Sequence, residues 1–425
     1  MRTRRRSVSA LAAVLACLLL LGSFSGCGGS GEVRPSAQTQ STAPTPAEGV
    51  SEASGSEAPV TDAPAPFAAD YALVWEALET DYPYLPYLRN KGVDVDGIRA
   101  RYAAKLEQAA DTEDFAALLK EMFRDLKNTA HLSLVSRDFF PMLYRGYTET
   151  SDDFHAAWRE TAALAAASAY YAPTPEQEAE DPSSDSASYC PPAKYSWYED
   201  CKTLCLSIRT FLPDTVDRDR DLLRNALEAH PDAENLVFDI AGNSGGDDRY
   251  WRQNLVGPFG EDHSLRQRLY FRGTEHNLPC FEGRWDCFST AEAEDAAPWA
   301  EALGLDRFCR VETPIPGREA VHSDAKRWVL VNEQVYSSSE SFVCFCKATG
   351  WATVAGTRTG GDGVGFDPVL RFLPDSGLLF RFSIGAGENP DGTMSLEGTA
   401  PDLELPGSGI SYLLEYLRAQ RKAAD

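Results

Sequence analysis

A short apolar run, a cluster of serines and a second apolar run follow one another in the last quarter of the chain. The first run, Trp328 to Asn332, has the composition of a strand, and the second, Ser341 to Cys346, that of a helix. A strand that leads into a helix is typical of layered α/β folds. A serine in such a turn presents its hydroxyl above the sheet edge, where the first N–H groups of the helix can stabilise a developing negative charge.

The serine turn reads Tyr336-Ser337-Ser338-Ser339-Glu340, and the residue types leave two interpretations open. In the first, one of the three hydroxyls is a nucleophile. In the second, the serines are a plain helix N-cap, because a serine hydroxyl accepts hydrogen bonds from unpaired N–H groups of the first helical turn. The sequence does not choose among the three serines.

Strand and helix patterns alternate through most of the remaining chain. Apolar runs predict strands at 131–136, 203–210, 235–240, 351–355, 369–372 and 378–384. Periodicity predicts helices at 67–84, 98–109, 112–126, 152–170, 218–229, 249–255 and 409–424, with Asp111 as the cap of the third. The predicted fold class is α/β, a mixed sheet with parallel pairing flanked by helices and preceded by a helical subdomain. The stretch from 257 to 324 is predicted to be irregular.

The first residues predict export. Arg2 and Arg4 to Arg6 precede an apolar segment, Ala10 to Leu21, that is too short to span a bilayer as a mature helix. Small residues then lead to Cys27, as in the cleavage box of a bacterial lipoprotein. We expect Cys27 to carry lipid and to anchor the protein at the cell membrane, facing outside the cytoplasm. An ordinary secretory signal that contains a cysteine is the alternative.

Composition divides the chain into segments. Residues 27–66 are rich in Gly, Ser, Thr, Ala and Pro and predict a disordered tether, because they carry too little apolar surface to fold. The predicted order is a signal peptide at 1–26, this tether, a helical subdomain at 67–135, a helix with a low-complexity insertion at 136–194, a core at 195–408 with an insertion at about 257–324, and a closing helix at 409–425.

Charge and cysteine usage restrict the partners. The formal net charge of −24 argues against nucleic acid and against a polybasic contact with anionic lipid. It favours basic or unfolded peptides as ligands, and a solvated acidic surface is the alternative. Eight of the ten cysteines lie outside the signal and the predicted lipid site, where export permits disulfides of unknown pairing. Cys201 and Cys205 have no histidine at ligand spacing, so we predict no metal site and no cofactor.

A glycine-rich element ends the predicted strand at 235–240. It reads Phe238-Asp239-Ile240-Ala241-Gly242-Asn243-Ser244-Gly245-Gly246, and its paired glycines let backbone N–H groups converge on an anion. An oxyanion hole is one interpretation, and a tight structural turn is another. A phosphate site is a third, but the lysine and the hydroxyl of a P-loop are absent.

Together, and in this order, the two elements resemble the tail-specific protease family, which includes the C-terminal-processing peptidases and the tricorn protease core. Two later segments match its Gly-x-x-Thr-x-Gly and Gly-x-x-Pro-Asp patterns, Val354 to Gly361 and Gly398 to Leu405. The resemblance covers most of residues 67–408 and implies a core like those of ClpP and crotonase. We find no PDZ domain between the helical part and the core.

The resemblance makes Ser337 the nucleophile, three residues before Glu340. It also implies an oxyanion hole that is formed by the N–H groups of Ser338 and of Gly245 or Gly246.

The general base departs from one branch of this family. Asp362 stands where the Ser-Lys branch has its lysine, and Lys347 on the predicted helix is expected to point away. The tricorn-like branch uses a histidine at the end of the helical subdomain, which corresponds to His131. Histidine has a suitable pKa for a base near neutrality, and a structural histidine is the alternative. Glu397 lies near the position of that branch's supporting carboxylate.

The resulting prediction is a lipid-anchored extracytoplasmic serine endopeptidase that cleaves peptides or unfolded proteins with Ser337, His131 and Glu397. The alternative is a catalytically inactive relative that binds peptides or apolar ligands at the cell envelope. The missing lysine and the presence of Ala241 in place of the family's usual arginine favour that alternative. The sequence leaves the substrate and the oligomeric state open.

Overall fold

The computed structural model of the chain describes residues 65–149, 155–173, 193–212, 215–318, 321–363 and 366–424. The predicted signal peptide, Cys27, nearly all of the predicted tether and most of the low-complexity stretch lie outside these residues. Within them, no helix combines the length and the apolar character that crossing a membrane requires.

The amino-terminal part is helical, as predicted. Its helices are α1 (Ala68–Thr80), α2 (Leu85–Asn90), α3 (Val95–Ala103), α4 (Thr112–Asp125), α5 (Phe140–Thr148) and α6 (Ala156–Ala166). The carboxylate of Asp111 accepts a hydrogen bond of 3.0 Å from the N–H of Asp114 and caps α4, which confirms the predicted start of that helix. The buried face of α4 includes Phe115, Leu119 and Met122.

Strands and helices then alternate along the chain. The strands are β1 (Ser133–Leu134), β2 (Lys194–Tyr198), β3 (Thr203–Ser207), β4 (Asn235–Asp239), β5 (His263–Phe271), β6 (Asp286–Ser289), β7 (Arg307–Ile315), β8 (Lys326–Val331), β9 (Thr353–Gly356), β10 (Val369–Leu373), β11 (Leu378–Phe382), β12 (Gly385–Gly387) and β13 (Leu403–Glu404). The later helices are α7 (Val216–Ala229), α8 (Asp248–Tyr250), α9 (Leu278–Phe281), α10 (Pro298–Ala302), α11 (Ser338–Thr349) and α12 (Ile410–Ala424). Helix α8 continues as a π-helix at Trp251–Val256.

A six-stranded sheet forms the centre of the core. Its order is β13-β9-β8-β4-β3-β2, in which β3, β4, β8, β9 and β13 run parallel and β2 pairs antiparallel with β3 at the edge. This mixed sheet with parallel pairing and flanking helices confirms the predicted fold class.

Both faces of the central sheet are buried, because helices cover each of them. Successive side chains of a strand point to opposite faces. Leu236 and Phe238 pack on the face covered by α7 and α11, whereas Val237 packs on the face covered by α12. Strands buried on both faces are continuously apolar, and the sequence therefore shows them clearly.

The stretch from 257 to 324 is not irregular, contrary to expectation. It contains β5, β6 and β7, which join β12 in an antiparallel sheet of order β12-β5-β7-β6. Exposed charged residues such as Arg266 and Glu312 interrupt the apolar residues of these strands and obscure their pattern. A disulfide between Cys287 and Cys309 joins β6 to β7.

A third sheet connects the amino-terminal helices to the later strands. Its order is β1-β11-β10, with antiparallel pairing throughout, and β11 is buried along its whole length. Just beyond β11, the N–H of Ser383 donates to the carbonyl oxygen of Ala130 at 2.9 Å. This bond fixes the segment that follows α4, which carries His131, beside the end of β11.

Candidate active site

Ser337 lies between β8 and α11 in an unusual backbone conformation. Its φ is 57° and its ψ is −125°, a region that residues other than glycine rarely occupy. Its N–H donates to the carbonyl oxygen of Gly361 at 3.0 Å, and its carbonyl oxygen accepts from the N–H of Ser341 at 2.9 Å. Its hydroxyl makes no capping hydrogen bond to α11, so helix capping does not explain this serine.

The three serines of the turn differ in their surroundings. Ser338 and Ser339 are buried, whereas Ser337 is partly exposed. The hydroxyl of Ser339 donates to Oδ1 of Asn243 at 2.7 Å, and the hydroxyl of Ser338 is enclosed with no hydrogen-bond partner among the described residues. Of the three hydroxyls, that of Ser337 is the one that a substrate can approach.

The diglycine loop lies directly against the serine turn. A Cβ atom on Gly245 would lie 2.8 Å from the carbonyl oxygen of Tyr336 and 3.0 Å from the nitrogen of Ser338, and a Cβ atom on Gly246 would collide with the carbonyl oxygen of Phe211. The two glycines have φ values of 106° and 142°, which other residues reach only with strain. Only glycine at position 245 allows the close approach to the serine turn, and only glycine at position 246 allows the close approach to Phe211.

Two of the three predicted oxyanion-hole donors are unused. The N–H groups of Ser338 and Gly246 donate no hydrogen bond to any residue that the structure describes, whereas the N–H of Gly245 donates to Oδ1 of Asn243 at 2.9 Å. Asn243 is fully buried, and its Nδ2 donates to the carbonyl oxygen of Ile208 at 3.1 Å. This asparagine fixes the loop, while the N–H groups of Ser338 and Gly246 stay without a partner among the described residues.

His131 lies beside the serine turn. Its ring contacts that of Tyr336, the residue before Ser337, with centroids 5.2 Å apart. Its Nε2 lies 3.3 Å from Oδ2 of Asp362, while its Nδ1 is buried without a hydrogen-bond partner in the described part of the chain. No hydrogen bond joins the described His131 and Ser337. The structure therefore brings these two residues to one site but not into direct polar contact.

Asp362 is the residue of this cluster to which sequence reasoning gave no role. It is buried, and the hydroxyl of Tyr336 donates to its Oδ2 at 2.8 Å. Burial raises the pKa of the Asp362 carboxyl to about 6, and the hydrogen bond from Tyr336 opposes that rise. The available signal was the register of Asp362 with the family's lysine, which by itself indicates only the loss of a base.

Burial also determines the charge state of His131. The loss of hydration, followed by the positive charge of Arg381, lowers the pKa of His131 to about 3. The neighbouring Asp362 carboxylate by itself favours the imidazolium, but the loss of hydration outweighs it. The ring is therefore neutral at neutral pH. A neutral ring that turns its Nε2–H towards Asp362 carries its lone pair on Nδ1, the atom without a partner.

The predicted supporting carboxylate, Glu397, is not brought into this cluster. Its side chain is 43% exposed and pairs with Nζ of Lys91 at 3.4 Å. Glu340 is completely buried in the first turn of α11, where burial raises its pKa to about 7 and the nearby hydroxyls of Thr359 and Thr399 partly offset the rise. Neither oxygen of Glu340 has a hydrogen bond of normal geometry.

Two family models match the sequence. Residues 202–405 match the model of peptidase family S41, and residues 63–124 match the model of the tricorn protease C1 domain. Residues 202–405 therefore belong to peptidase family S41. The resemblance that the motifs indicated is confirmed, and the family places this chain among the peptidases, whose substrates are peptides or proteins.

Several solved structures are similar to this chain. The crystal structure of a candidate peptidase from Parabacteroides merdae covers 83% of this chain and 96% of its own, with 17% identity and a TM-score of 0.52. The structure of mature CPAF complexed with lactacystin covers 84% of this chain and 98% of its own, with 14% identity and a TM-score of 0.48. The structure of the photosystem II D1 C-terminal processing protease covers 51% of this chain and 46% of its own, with 18% identity and a TM-score of 0.34. No curated protein matches this sequence.

No lysine belongs to the cluster of described residues around Ser337. Lys347 on α11 forms an ion pair with Asp402 instead. Within the described ranges, no group of three or more His, Cys, Asp or Glu side chains is arranged to hold a metal ion. The site chemistry that these residues offer is a serine hydroxyl, a neutral imidazole and a buried carboxylate.

Proposed function

We propose that this S41 peptidase is a serine endopeptidase in which Ser337 is the nucleophile and His131 the general base. One observation carries the proposal: a strained, partly exposed Ser337 is fixed against the diglycine loop. The N–H groups of Ser338 and Gly246 donate no hydrogen bond to a described residue, and a neutral imidazole contacts the preceding Tyr336. This combination suits acyl transfer through a covalent intermediate.

The chemistry follows from these positions. The hydroxyl oxygen of Ser337 attacks the carbonyl carbon of the scissile bond, and its proton passes to the His131 nitrogen that does not face Asp362. The N–H groups of Ser338 and Gly246 stabilise the oxyanion. The imidazolium gives its proton to the leaving amine, and water then hydrolyses the acyl-enzyme with His131 again as base.

We assign to Asp362 the positioning role that the sequence predicted for Glu397. An ionised carboxylate 3.3 Å from Nε2 orients the His131 ring and stabilises the imidazolium that forms during the reaction. The hydroxyl of Tyr336 orients that carboxylate in turn. Hydrogen bonds between a nucleophile and its base are often long in a free enzyme and tighten when substrate binds, which accounts for the absent bond between Ser337 and His131.

We infer that the enzyme acts outside the cytoplasm and is anchored by lipid at Cys27. The signal-like residues 1–26 support this location. The disulfide between Cys287 and Cys309 supports it independently, because disulfides persist in oxidising compartments. A Cys27→Ser variant is expected to leave the membrane fraction and to lose incorporation of labelled fatty acid. Unchanged fractionation together with unchanged labelling would contradict the anchor.

The direct test of the active site is Ser337→Ala. Peptide hydrolysis should fall by at least about a thousandfold, because removal of a catalytic nucleophile leaves only binding and oxyanion stabilisation. Labelling by a fluorophosphonate should disappear as well. Ser411→Ala, at an exposed serine of α12, is the matched control and should retain both. Persistent labelling of the Ser337→Ala variant would show that another residue is the nucleophile.

The second candidate function is that of a catalytically inactive peptide-binding protein. The absence of a hydrogen bond between Ser337 and His131, together with the lowered pKa of His131, favours it. A mass-spectrometric screen of unfolded peptides separates the two functions. If the wild-type chain binds peptides but neither cleaves them nor reacts with the fluorophosphonate, the endopeptidase proposal is wrong.

A further inference from the structure

Arg381 on β11 is an unusual cation. This residue is only 6% exposed, and among the described residues no other Arg or Lys is buried. A buried charge normally has a partner of opposite charge, because an ion that loses its hydration without compensation is strongly disfavoured.

Arg381 has no such partner in the part of the chain that the structure describes. No carboxylate oxygen lies within 4.0 Å of its guanidinium. Its Nε donates to the hydroxyl of Ser133 at 3.3 Å, and its guanidinium carbon lies 4.9 Å from the ring centre of Phe139. Its two terminal nitrogens donate no hydrogen bond to a described residue, yet neither is completely sealed from solvent. The outer edge of the guanidinium is therefore free for a ligand.

This guanidinium lies at the histidine side of the active site. Arg381 is the direct cross-strand neighbour of Ser133, whose hydroxyl donates to the carbonyl oxygen of His131 at 3.1 Å. Ser383, two residues further along, is hydrogen-bonded to Ala130. The charge of Arg381 is close enough to the imidazole to lower the pKa of His131.

We propose that Arg381 binds a carboxylate of the peptide substrate, so that the enzyme selects peptides with an acidic side chain or a free carboxyl terminus near the scissile bond. The planar guanidinium presents paired N–H donors that match the two oxygens of a carboxylate. The proposal rests on the proposed function, which makes this site the peptide-cleaving site. It also reverses the preference for basic peptides that the net charge suggested, because a local buried cation, and not the surface charge, contacts the ligand.

A bound carboxylate has a second consequence for catalysis. It neutralises the charge of Arg381, which otherwise opposes protonation of His131. The imidazolium that forms when Ser337 loses its proton is then less disfavoured. Recognition of an acidic substrate and readiness of the base are thereby coupled.

The test uses four versions of one peptide and the full chain. The versions carry Glu or Gln at one internal position and end in a free carboxylate or an amide. Wild-type kcat/KM should be about ten- to a hundredfold higher for one carboxylate-bearing peptide than for its neutral counterpart, as expected for hydrogen bonds to a charged group. The Glu–Gln comparison with amide ends identifies an acidic side chain as the ligand. The acid–amide comparison with Gln identifies the chain terminus.

Variants then assign the preference to Arg381. Arg381→Met should abolish the preference, and cleavage of the neutral peptide should rise, because the charge that opposes protonation of His131 is removed as well. Arg381→Lys should retain only part of it, because an ammonium lacks the planar pair of donors. Arg266→Met, at an exposed arginine of β5 whose side chain is 78% exposed, is the control and should behave as the wild type. If thermal unfolding shows that Arg381→Met does not fold, the partial loss in Arg381→Lys decides the question.

The outcomes separate this inference from the proposed function. Equal wild-type cleavage of all four peptides, or an unchanged preference in the Arg381 variants, overturns the carboxylate site while the peptidase remains. If no version is cleaved, the endopeptidase proposal fails, and binding of the same labelled peptides to the Ser337→Ala chain decides the inference. Fluorescence anisotropy measures this binding. If the Ser337→Ala chain prefers carboxylate-bearing peptides and loses that preference when Arg381→Met or Arg381→Lys is added, the site is supported. If the preference persists in these double variants, or if the Ser337→Ala chain shows no preference, the site is overturned.

Discussion

The serine turn and the imidazole of His131 meet at one site but are held by different kinds of contact. Backbone contacts hold the turn: the bond from Ser337 to Gly361 and the close approach of Gly245. Side chains hold the imidazole of His131, through the ring of Tyr336 and the carboxylate of Asp362.

This difference shows how the two halves of the site can fail. The serine turn tolerates no added atom at the diglycine loop, so changes there affect folding and geometry together. The histidine side depends on charge and hydration, so a change that keeps its shape can still remove its function. Both halves contain non-glycine residues with positive φ, Ser337 at 57° and His131 at 62°. Such strain clusters at functional sites, where the surrounding structure compensates for it.

On the histidine side, the largest effect on activity is expected for Asp362→Asn. An amide cannot stabilise the imidazolium, so kcat should fall by about a hundred- to ten-thousandfold. Steady-state hydrolysis and thermal unfolding measure the two quantities separately. Asp96→Asn, at an exposed aspartate paired with Arg89, should leave activity unchanged. If the Asp362→Asn variant keeps nearly full activity, the charge of Asp362 does not stabilise the His131 imidazolium during the reaction.

The serine side is sharpened by Gly246→Ala. The new methyl group would collide with the carbonyl oxygen of Phe211 and occupy a residue with φ of 142°. The free energy of unfolding should fall by about 3 kcal/mol, against about 1 kcal/mol for a change that costs backbone strain alone. Gly283→Ala provides that control, because its φ is 82° and nothing lies within 4 Å of the added Cβ. Denaturant unfolding gives both values, and equal losses would show that the loop has room.

The buried Glu340 makes a pH-dependent prediction for the same side. Folding raises the pKa of Glu340 from 4.5 to about 7. Between these values the folded protein retains a proton that the unfolded chain releases, so the stability due to this group falls as pH rises and levels off above 7. The Glu340→Gln variant should therefore gain about 3 kcal/mol relative to the wild type between pH 4.5 and 8.

Urea unfolding at several pH values tests this prediction. Glu397→Gln is the matched control, because the side chain of Glu397 is 43% exposed whereas Glu340 is completely buried. Its stability should stay parallel to that of the wild type across the same range. If the Glu340→Gln curve is also parallel, Glu340 is ionised in the folded protein and has a partner.

The smallest effect is expected for Tyr336→Phe on the histidine side. The change removes the hydrogen bond to Asp362 but keeps the ring that contacts His131. The activity should fall by about tenfold, as expected for one hydrogen bond to a charged group. The acid limb of the pH–rate profile should move to higher pH, because that bond lowers the pKa of Asp362. Tyr412→Phe, at an exposed tyrosine, should change neither the activity nor the pH–rate profile. If the acid limb does not move in Tyr336→Phe, the ionisation of Asp362 does not control the rate.

Much of the core could be predicted because its strands are apolar on both faces. The runs around Phe238 and Val329 and the helix pattern after Asp111 are local signals, and the structure confirms them. The sheet of β5, β6, β7 and β12 was missed because its exposed charged positions break the apolar pattern. The assignments of the signal peptide and of lipid at Cys27 stay predictions, since they lie outside the described residues.

The sequence by itself determined the order of the motifs, the family and the α/β class, because these depend on short segments and their spacing. Only the tertiary structure decided which residues meet. It brings His131 to Asp362, leaves Glu397 in a surface ion pair and places Arg381 beside Ser133. The physical reason is that these side chains lie far apart in the chain and become neighbours only when the third sheet and the central core pack together. Their burial, and therefore their charge states, arises in the same step.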